Sequence, residues 1–168
     1  MRIALLSNPS SGRGRHAAAD DVARRILTEA GHEVLHVRGS SYEQARDAGR
    51  ALLGDGPHRN VEALVVVGGD GMVHLGVDIV ATTGVPLGIV ATGTGNDIAR
   101  HFGLPSRDAE ASARLINQAL SGKGAITAVD AIYASRPDGT LLAPQRRWSL
   151  AVVSAGVDAA VNARANTL

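Results

Sequence analysis

The sequence lacks cysteine and is poor in aromatic side chains. Without cysteine, a disulfide framework and thiolate metal sites are excluded, so an apolar core must hold the 168-residue chain together. Aromatic residues make up only 2% of the chain. This leaves few surfaces on which nucleic-acid bases can stack, and it predicts a core of Val, Ile, Leu and Ala. A protein that binds RNA through an aromatic platform is therefore not expected.

Lysine occurs only once, as Lys123 in the segment Ser121-Gly122-Lys123-Gly124. A P-loop NTPase requires a lysine at a fixed spacing within its glycine loop, followed by Ser or Thr. The segment around Lys123 has neither this spacing nor the hydroxyl residue. P-loop chemistry is therefore excluded.

Neither sign of charge is in excess, since 17 Lys and Arg residues face 16 Asp and Glu residues, for a formal net charge of +1. This balance argues against broad, sequence-independent binding of nucleic acid. The apolar start, Met1–Leu6, is too short for a signal peptide, and no stretch approaches the ~20 apolar residues of a membrane span. The composition predicts a cytoplasmic globular protein with no nucleic-acid partner.

Short apolar runs alternate with segments of helical periodicity along most of the chain. Apolar strands separated by helices indicate a parallel sheet covered on both faces. The predicted strands are Arg2–Ser7, Glu33–Arg38, Ala63–Val67 and Pro86–Val90. The predicted helices are His16–Ala30, Ser41–Leu53, Met72–Thr82, Asp97–Phe102 and Asp108–Leu120. The expected fold class is α/β, a Rossmann-like parallel sheet whose ligand lies at the carboxyl ends of the strands.

The pattern changes after Gly124. Two strand-like stretches, Ala125–Ala134 and Trp148–Ser154, are separated by the polar turn Arg136–Gly139. We therefore expect residues 1–124 to form one α/β domain and residues 125–168 to begin a second, β-rich domain.

The first of three polar loops, Asn8–Arg15, follows the first predicted strand. Its small residues stand just before a helix, where free backbone N–H groups and the helix dipole favour an anion. Arg13 and Arg15 can add charge-assisted contacts to phosphate oxygens. An ordinary strand-to-helix turn with solvated arginines explains the same residues equally well.

The second loop, Gly68-Gly69-Asp70-Gly71, follows the most apolar predicted strand. Three glycines around one acid allow the backbone to approach a ligand with no Cβ in the way, and the carboxylate can bind a metal or orient a hydroxyl group. The alternative is a tight turn in which Asp70 caps its own helix.

The third loop, Gly93-Thr94-Gly95-Asn96-Asp97, adds a hydroxyl, an amide and a carboxylate at the same predicted edge of the sheet. Acids on two neighbouring loops indicate a Mg²⁺ site, because Mg²⁺ takes carboxylate and phosphate oxygens together. Alternatively, Asn96 and Asp97 only cap the helix that follows.

Together the loops resemble the diacylglycerol kinase catalytic-domain family. The resemblance rests on Asn8-Pro9-x-Ser11-Gly12, on Gly68-Gly69-Asp70-Gly71, and on Pro86-Leu87-Gly88 running on to Gly93–Arg100. These motifs occur in the family's order, and the resemblance covers nearly the whole chain. The family includes bacterial lipid kinases and sphingosine kinases and is more distantly related to NAD kinases.

The resemblance implies a kinase that uses ATP and Mg²⁺ to phosphorylate a lipid hydroxyl at a membrane surface, with a second β-sandwich domain completing the cleft. The implied catalytic residues are Asp70 and Asp97, and the implied metal ligands are Asp97 and Asp130, although a strand-end Asp in a turn explains Asp130 almost as well. The loops and the resemblance together predict as nucleotide-binding residues Asn8, Ser11, Gly12, Arg13, Gly68, Gly69, Asp70, Gly71, Gly93, Thr94, Gly95 and Asn96.

The sequence departs from the family at Met72, where Thr is usual, and at Ala91 and Thr92, where Pro followed by an apolar or small residue is common. The family also continues well beyond the length of this chain and carries its general base in that later region. We therefore expect a fragment that binds nucleotide with little activity alone. Apolar surface that a second domain would cover predicts possible homodimerisation.

Three alternatives remain open. An NAD kinase would share the Gly68–Gly71 loop, and a non-catalytic nucleotide-binding module would explain Met72 and the short length. A dehydrogenase is suggested by Gly12-x-Gly14-x-x-Ala17, but Arg38 stands where that fingerprint has an acid for the ribose. His74 is a further candidate for approaching phosphates, against a simple surface or core role.

Overall fold

The computed structural model describes residues 1–7, 15–37, 39, 41–54, 60–135, 148–150 and 164. Four parallel strands form its main sheet: β1 (Arg2–Ser7), β2 (Glu33–Val37), β3 (Ala63–Gly68) and β4 (Leu87–Ala91). Their spatial order is β2-β1-β3-β4. In the described part of the chain, five helices pack around the sheet: α1 (Arg15–Glu29), α2 (Tyr42–Leu53), α3 (Asp70–Val80), α4 (Asp97–His101) and α5 (Ala109–Leu120).

The sheet is buried on both faces because its strands alternate between two apolar clusters. Ala4 and Leu6 of β1 belong to the cluster that also contains buried side chains of α2, α3 and α4. Ile3 and Leu5 belong to the cluster formed with α1 and α5. Each fully buried aliphatic side chain contributes about 1.5–3 kcal/mol. This arrangement confirms the predicted α/β class with helices on both faces.

Side-chain caps fix the starts of two of the helices. Ser41 accepts a hydrogen bond from the backbone N–H of Gln44 at 3.2 Å before α2, and Asp108 accepts one from Ala111 at 2.9 Å before α5. Such caps satisfy N–H groups that have no partner inside the helix. These two helices begin within one residue of their predicted starts.

The third helix begins earlier than predicted. Met72 is the predicted first residue, but α3 starts at Asp70, and Gly69 occupies the N-cap position in an extended conformation. A carboxylate in the first turn is favoured by the helix dipole, which explains why Asp70 is accommodated inside the helix. Asp70 does not cap its own helix through its side chain.

The predicted strand Ala125–Ala134 is largely wrong. Only β5 (Ile132–Tyr133) forms, and it pairs in antiparallel fashion with β6 (Trp148–Ser149). A strand requires a neighbour, and within the described part of the chain only these two residues of the stretch have one. Residues 151–154 of the other predicted strand lie outside the described residues. The β5–β6 pair is a weak indication of a second domain.

No helix in the described residues has the length and the apolar character needed to cross a membrane.

Candidate functional site

The carboxyl ends of β1, β3 and β4 lie level at one edge of the sheet. Ser7 at the end of β1 is opposite Val67, and Gly68 at the end of β3 is opposite Ala91 at the end of β4. The strand order places β2 on one side of β1 and β3 on the other, so the chain switches direction at β1. In open α/β sheets, ligands bind at such a switch point, outside the carboxyl ends of the strands.

The second and third loops contact each other through their backbones. The N–H of Thr92 donates a hydrogen bond to the carbonyl of Gly68 at 2.9 Å. A Cβ placed on Gly93 would stand 2.6 Å from the Cα of Gly69, which is too close for any side chain. Glycine at position 93 therefore allows the two loops to meet, as the sequence predicts for loops that follow neighbouring strands.

Asp70 links the second loop to α4. Its Oδ1 accepts a hydrogen bond from the N–H of Ile98 at 3.1 Å. A Cβ on Gly95 would lie 3.1 Å from Oδ2 of Asp70 and 3.4 Å from Oδ2 of Asp97, so the two carboxylates flank Gly95. Asp97 is paired with Arg100, and its side chain is 76% exposed. One carboxylate is thus anchored, and the other is accessible to solvent.

Two carboxylates beside one glycine suit Mg²⁺ better than a metal ion that takes all of its ligands from protein side chains. Mg²⁺ is commonly held by one or two carboxylates together with substrate phosphates and water. Among the described residues, no group of three His, Cys, Asp or Glu side chains is close enough to hold a metal. Asp130 is exposed and precedes β5. The placement of Asp70 and Asp97 is compatible with a phosphate-bound Mg²⁺, and the assignment of Asp97 and Asp130 as metal ligands stays a prediction.

Asn96 lies beneath the third loop and is only 1% exposed. Its backbone is left-handed, with φ 55° and ψ 41°. Its Nδ2 donates to the carbonyl of Gly93 at 2.9 Å and to Oγ of Ser106 at 3.0 Å. Both N–H groups of the amide are therefore used inside the loop. Asn96 occupies the N-cap position of α4, yet its side chain makes no capping hydrogen bond.

Three other predicted nucleotide-binding residues have a main chain that is exposed to solvent. Thr94 and Gly95 are exposed at the top of the third loop, and Gly71 is exposed in the first turn of α3. Apart from its chain neighbours and the backbone of its own helix, no described atom lies within 4 Å of the place where a Cβ on Gly71 would stand. A ligand can therefore reach the main chain at each of these positions.

Met72 fills the space under the second loop. A Cβ on Gly68 would lie 2.4 Å from Cγ of Met72, so these two residues are packed directly together. His74, one turn into the same helix, has its Nε2 3.4 Å from Oγ of Ser149. That contact connects α3 to β6. The predicted approach of His74 to phosphates remains a prediction.

Part of the predicted site cannot be placed. Asn8, Ser11, Gly12 and Arg13 of the first loop lie outside the described residues. Their assignment to the nucleotide stays a prediction.

The structure adds polar residues that the sequence does not reveal. At the end of β1, Oγ of Ser7 is 2.9 Å from Nε2 of His36, and that nitrogen is 3.2 Å from Oδ2 of the buried Asp20 in α1. Ser106 and Arg107, between α4 and α5, contact the third loop. No spacing in the sequence connects these residues, because the contacts depend on how the elements pack.

Comparison with known proteins points to one family. Residues 2–132 match the family model described as the diacylglycerol kinase catalytic domain. The chain is 32% identical over 167 residues to proteins named diacylglycerol kinase from two strains of Mycobacterium tuberculosis, covering 99% of this chain and 50% of those proteins. The chain thus spans about half the length of these curated relatives.

Solved structures give the same result. A structure described as a diacylglycerol kinase from Bacillus anthracis str. Sterne is 25% identical, with a TM-score of 0.56, and the match covers 70% of this chain and 39% of that one. A second structure from the same organism matches with the same identity and TM-score, and this match covers 42% of the second structure's chain. From the length of the family match and the identity to the curated relatives, the chain belongs to the diacylglycerol kinase catalytic-domain family.

Proposed function

We propose that this chain is the nucleotide-binding part of a lipid kinase that transfers the γ-phosphate of Mg-ATP to a lipid hydroxyl at a membrane surface. The observation that carries the proposal is the contact between the second and third loops, which brings the carboxylates of Asp70 and Asp97 to either side of Gly95. Membership in the family supports the lipid-kinase class.

The backbone of the two loops is suited to phosphate oxygens. The first turn of α3 presents N–H groups with no partner inside the helix, and the helix dipole favours an anion there. Gly71 and Gly95 are exposed and carry no side chain that would keep a ligand away. Phosphate groups at this edge would therefore be held mainly by the main chain.

The two acids need a cation if phosphates bind beside them. A carboxylate and a phosphate repel each other at short range, and a divalent cation between them converts the repulsion into attraction. Mg²⁺ bound to the nucleotide would supply this charge neutralisation. Asp70 is held by Ile98 and would orient the complex, whereas the exposed Asp97 can turn from Arg100 toward it.

The chain covers about half of its curated relatives, and we assign different functions to the covered and uncovered parts. We assign nucleotide binding to residues 1–124 and propose that lipid selection belongs to the part of the relatives that this chain does not cover. Phosphoryl transfer depends on positioning both reactants and on stabilising charge around the transferred group. We therefore expect the 168-residue chain to bind Mg-ATP and to phosphorylate diacylglycerol only slowly.

The test is calorimetric titration of the chain with ATP, with and without Mg²⁺. We expect binding that requires Mg²⁺ and that weakens about tenfold or more in Asp70→Asn and in Asp97→Asn, since each variant removes one charged ligand. Asp47→Asn is the matched control, because Asp47 is an exposed carboxylate on α2 that pairs with its neighbour Arg46. Equal affinity in all three variants would contradict the proposal.

The same titration separates the alternatives. An NAD kinase-like chain would also bind NAD, and a dehydrogenase-like chain would prefer NADPH over ATP. Phosphorylation assays with labelled ATP and diacylglycerol in mixed micelles then measure transfer. A non-catalytic module would bind ATP but give no transfer even when joined to the remainder of a full-length relative.

A further inference from the structure

The segment that joins α4 to α5 returns to the edge of the sheet. Ser106 forms an isolated parallel bridge with Ala91, the last residue of β4. The N–H of Arg107 donates a hydrogen bond to the carbonyl of Ala91 at 2.8 Å. The backbone of these two residues is thereby fixed beside the start of the third loop.

From this position, two side chains reach the loop from outside. Oγ of Ser106 accepts a hydrogen bond from the buried amide of Asn96 at 3.0 Å. Nη2 of Arg107 donates to the carbonyl of Thr94 at 2.8 Å. One contact holds the base of the loop, and the other holds its exposed top.

The conformation of Arg107 is unfavourable for a residue with a side chain. Its φ is +60°, and Asn96 is also left-handed, with φ +55°. Glycine would adopt this conformation without steric cost, whereas a long side chain does not. An observed backbone outlier of this kind often accompanies a functional constraint, and here the guanidinium contact with Thr94 supplies one.

We propose that Ser106 and Arg107 are positioning residues that hold the third loop in the conformation that receives the nucleotide phosphates. This inference rests on the proposed function. Gly93 and Gly95 carry no side chain that would restrict their own backbone, so without contacts from outside the loop would have to be ordered on binding, which lowers affinity. The two side chains order the loop before the nucleotide arrives.

The test uses the full 168-residue chain with three variants. Arg107→Gly removes the guanidinium but suits the left-handed backbone, so the thermal midpoint is expected to stay the same or to rise. Ser106→Ala removes the acceptor for Asn96 without a change of charge. Arg114→Ala is the matched control, since Arg114 is an exposed arginine that pairs with Glu110 on α5.

Two measurements are made on each variant: amide hydrogen exchange over residues 93–98, and the dissociation constant for Mg-ATP by calorimetry. In Arg107→Gly and Ser106→Ala we expect exchange to become faster and the dissociation constant to rise, each about 2- to 10-fold, the effect of one lost hydrogen bond. Arg114→Ala should change neither measurement.

Unchanged exchange in both loop variants overturns the inference, as does unchanged affinity in variants of a chain that binds ATP. An equal effect of Arg114→Ala also overturns it, since the cause would then be the general loss of positive charge. If the unmodified chain does not bind ATP, the proposed function fails together with the role toward nucleotide, while faster exchange would still show that the two residues hold the loop.

Discussion

The second and third glycine loops meet at one edge of the sheet but are held in different ways. The second loop leads into the 11-residue helix α3 and is fixed by backbone packing and by Met72. The third loop leads into the 5-residue helix α4 and is fixed by side-chain hydrogen bonds: Asn96 and Arg107 donate to carbonyls of the loop, and Asp70 accepts from the N–H of Ile98 in α4. A loop without a long helix behind it therefore depends on side chains, and it should respond more strongly to their loss.

The largest effect is expected where the two loops touch. Gly93→Ala places a methyl group against the backbone of Gly69, so the free energy of unfolding should fall by about 3 kcal/mol and ATP binding should be lost. Gly71→Ala is the control for stability, because that position is open and helical. Alanine there should leave the free energy of unfolding unchanged or raise it. Urea denaturation measures the unfolding free energy of both variants, and calorimetric titration measures their binding of ATP. Equal stability of the two variants would show that the loops do not pack as described.

The next effect is expected at the base of the third loop. Asn96→Ala loses two hydrogen bonds and forces a Cβ-bearing residue without a polar side chain into a left-handed conformation, which should cost about 2–3 kcal/mol of unfolding free energy. Asn96→Gly loses the same hydrogen bonds, but glycine adopts the left-handed conformation without steric cost. This variant should therefore be about 1 kcal/mol more stable than Asn96→Ala. The reverse order of the two variants would contradict the structural role of this residue.

A smaller effect should distinguish the two carboxylates. Asp70→Ala leaves the N–H of Ile98 without its acceptor, and we expect a loss of about 1–2 kcal/mol in unfolding free energy. Asp97→Ala affects an exposed surface pair and should change stability by less than about 0.5 kcal/mol. Thermal and urea unfolding of both variants would settle this; similar losses would mean that the two acids are equally structural.

The smallest effect concerns the second loop. Met72→Thr introduces the hydroxyl that is usual in the family and removes packing against Gly68, while Met72→Val removes similar packing without adding a hydroxyl. We expect the Met72→Thr variant to bind Mg-ATP about 2- to 10-fold more tightly than the Met72→Val variant, because one hydrogen bond contributes about this much to affinity. The two variants should have nearly equal stability. Identical affinities would indicate that a hydroxyl at this position does not reach the phosphates.

Much of the fold could be predicted because it follows from hydrophobic periodicity. The predicted strand Arg2–Ser7 is reproduced, and the remaining strands of the main sheet and the helices around it lie within two residues of the predicted bounds. The meeting of the second and third loops follows from the parallel order of β3 and β4. These features depend on local sequence and on general rules for parallel sheets.

The supporting contacts could not be predicted, because they join residues distant in sequence. Nothing in the spacing shows that Asp70 accepts from Ile98 or that Asn96 is buried against Ser106. A one-residue rotation of a helix or loop would break either contact and leave the periodicity unchanged. The strand predicted at Ala125–Ala134 fails for a related reason, since a strand depends on a partner that its own sequence does not specify.

The Ser7–His36–Asp20 cluster has a consequence for the first loop. Ser7 directly precedes residues 8–14, and Asp20 belongs to the helix that follows them, so His36 joins the two segments on either side of that loop. The strand and the helix are thereby clamped at a set separation by a residue from β2. The two attachment points of residues 8–14 are therefore held near each other by contacts that do not involve those residues. Under the proposed function, these contacts would frame the edge of the sheet at which the nucleotide enters.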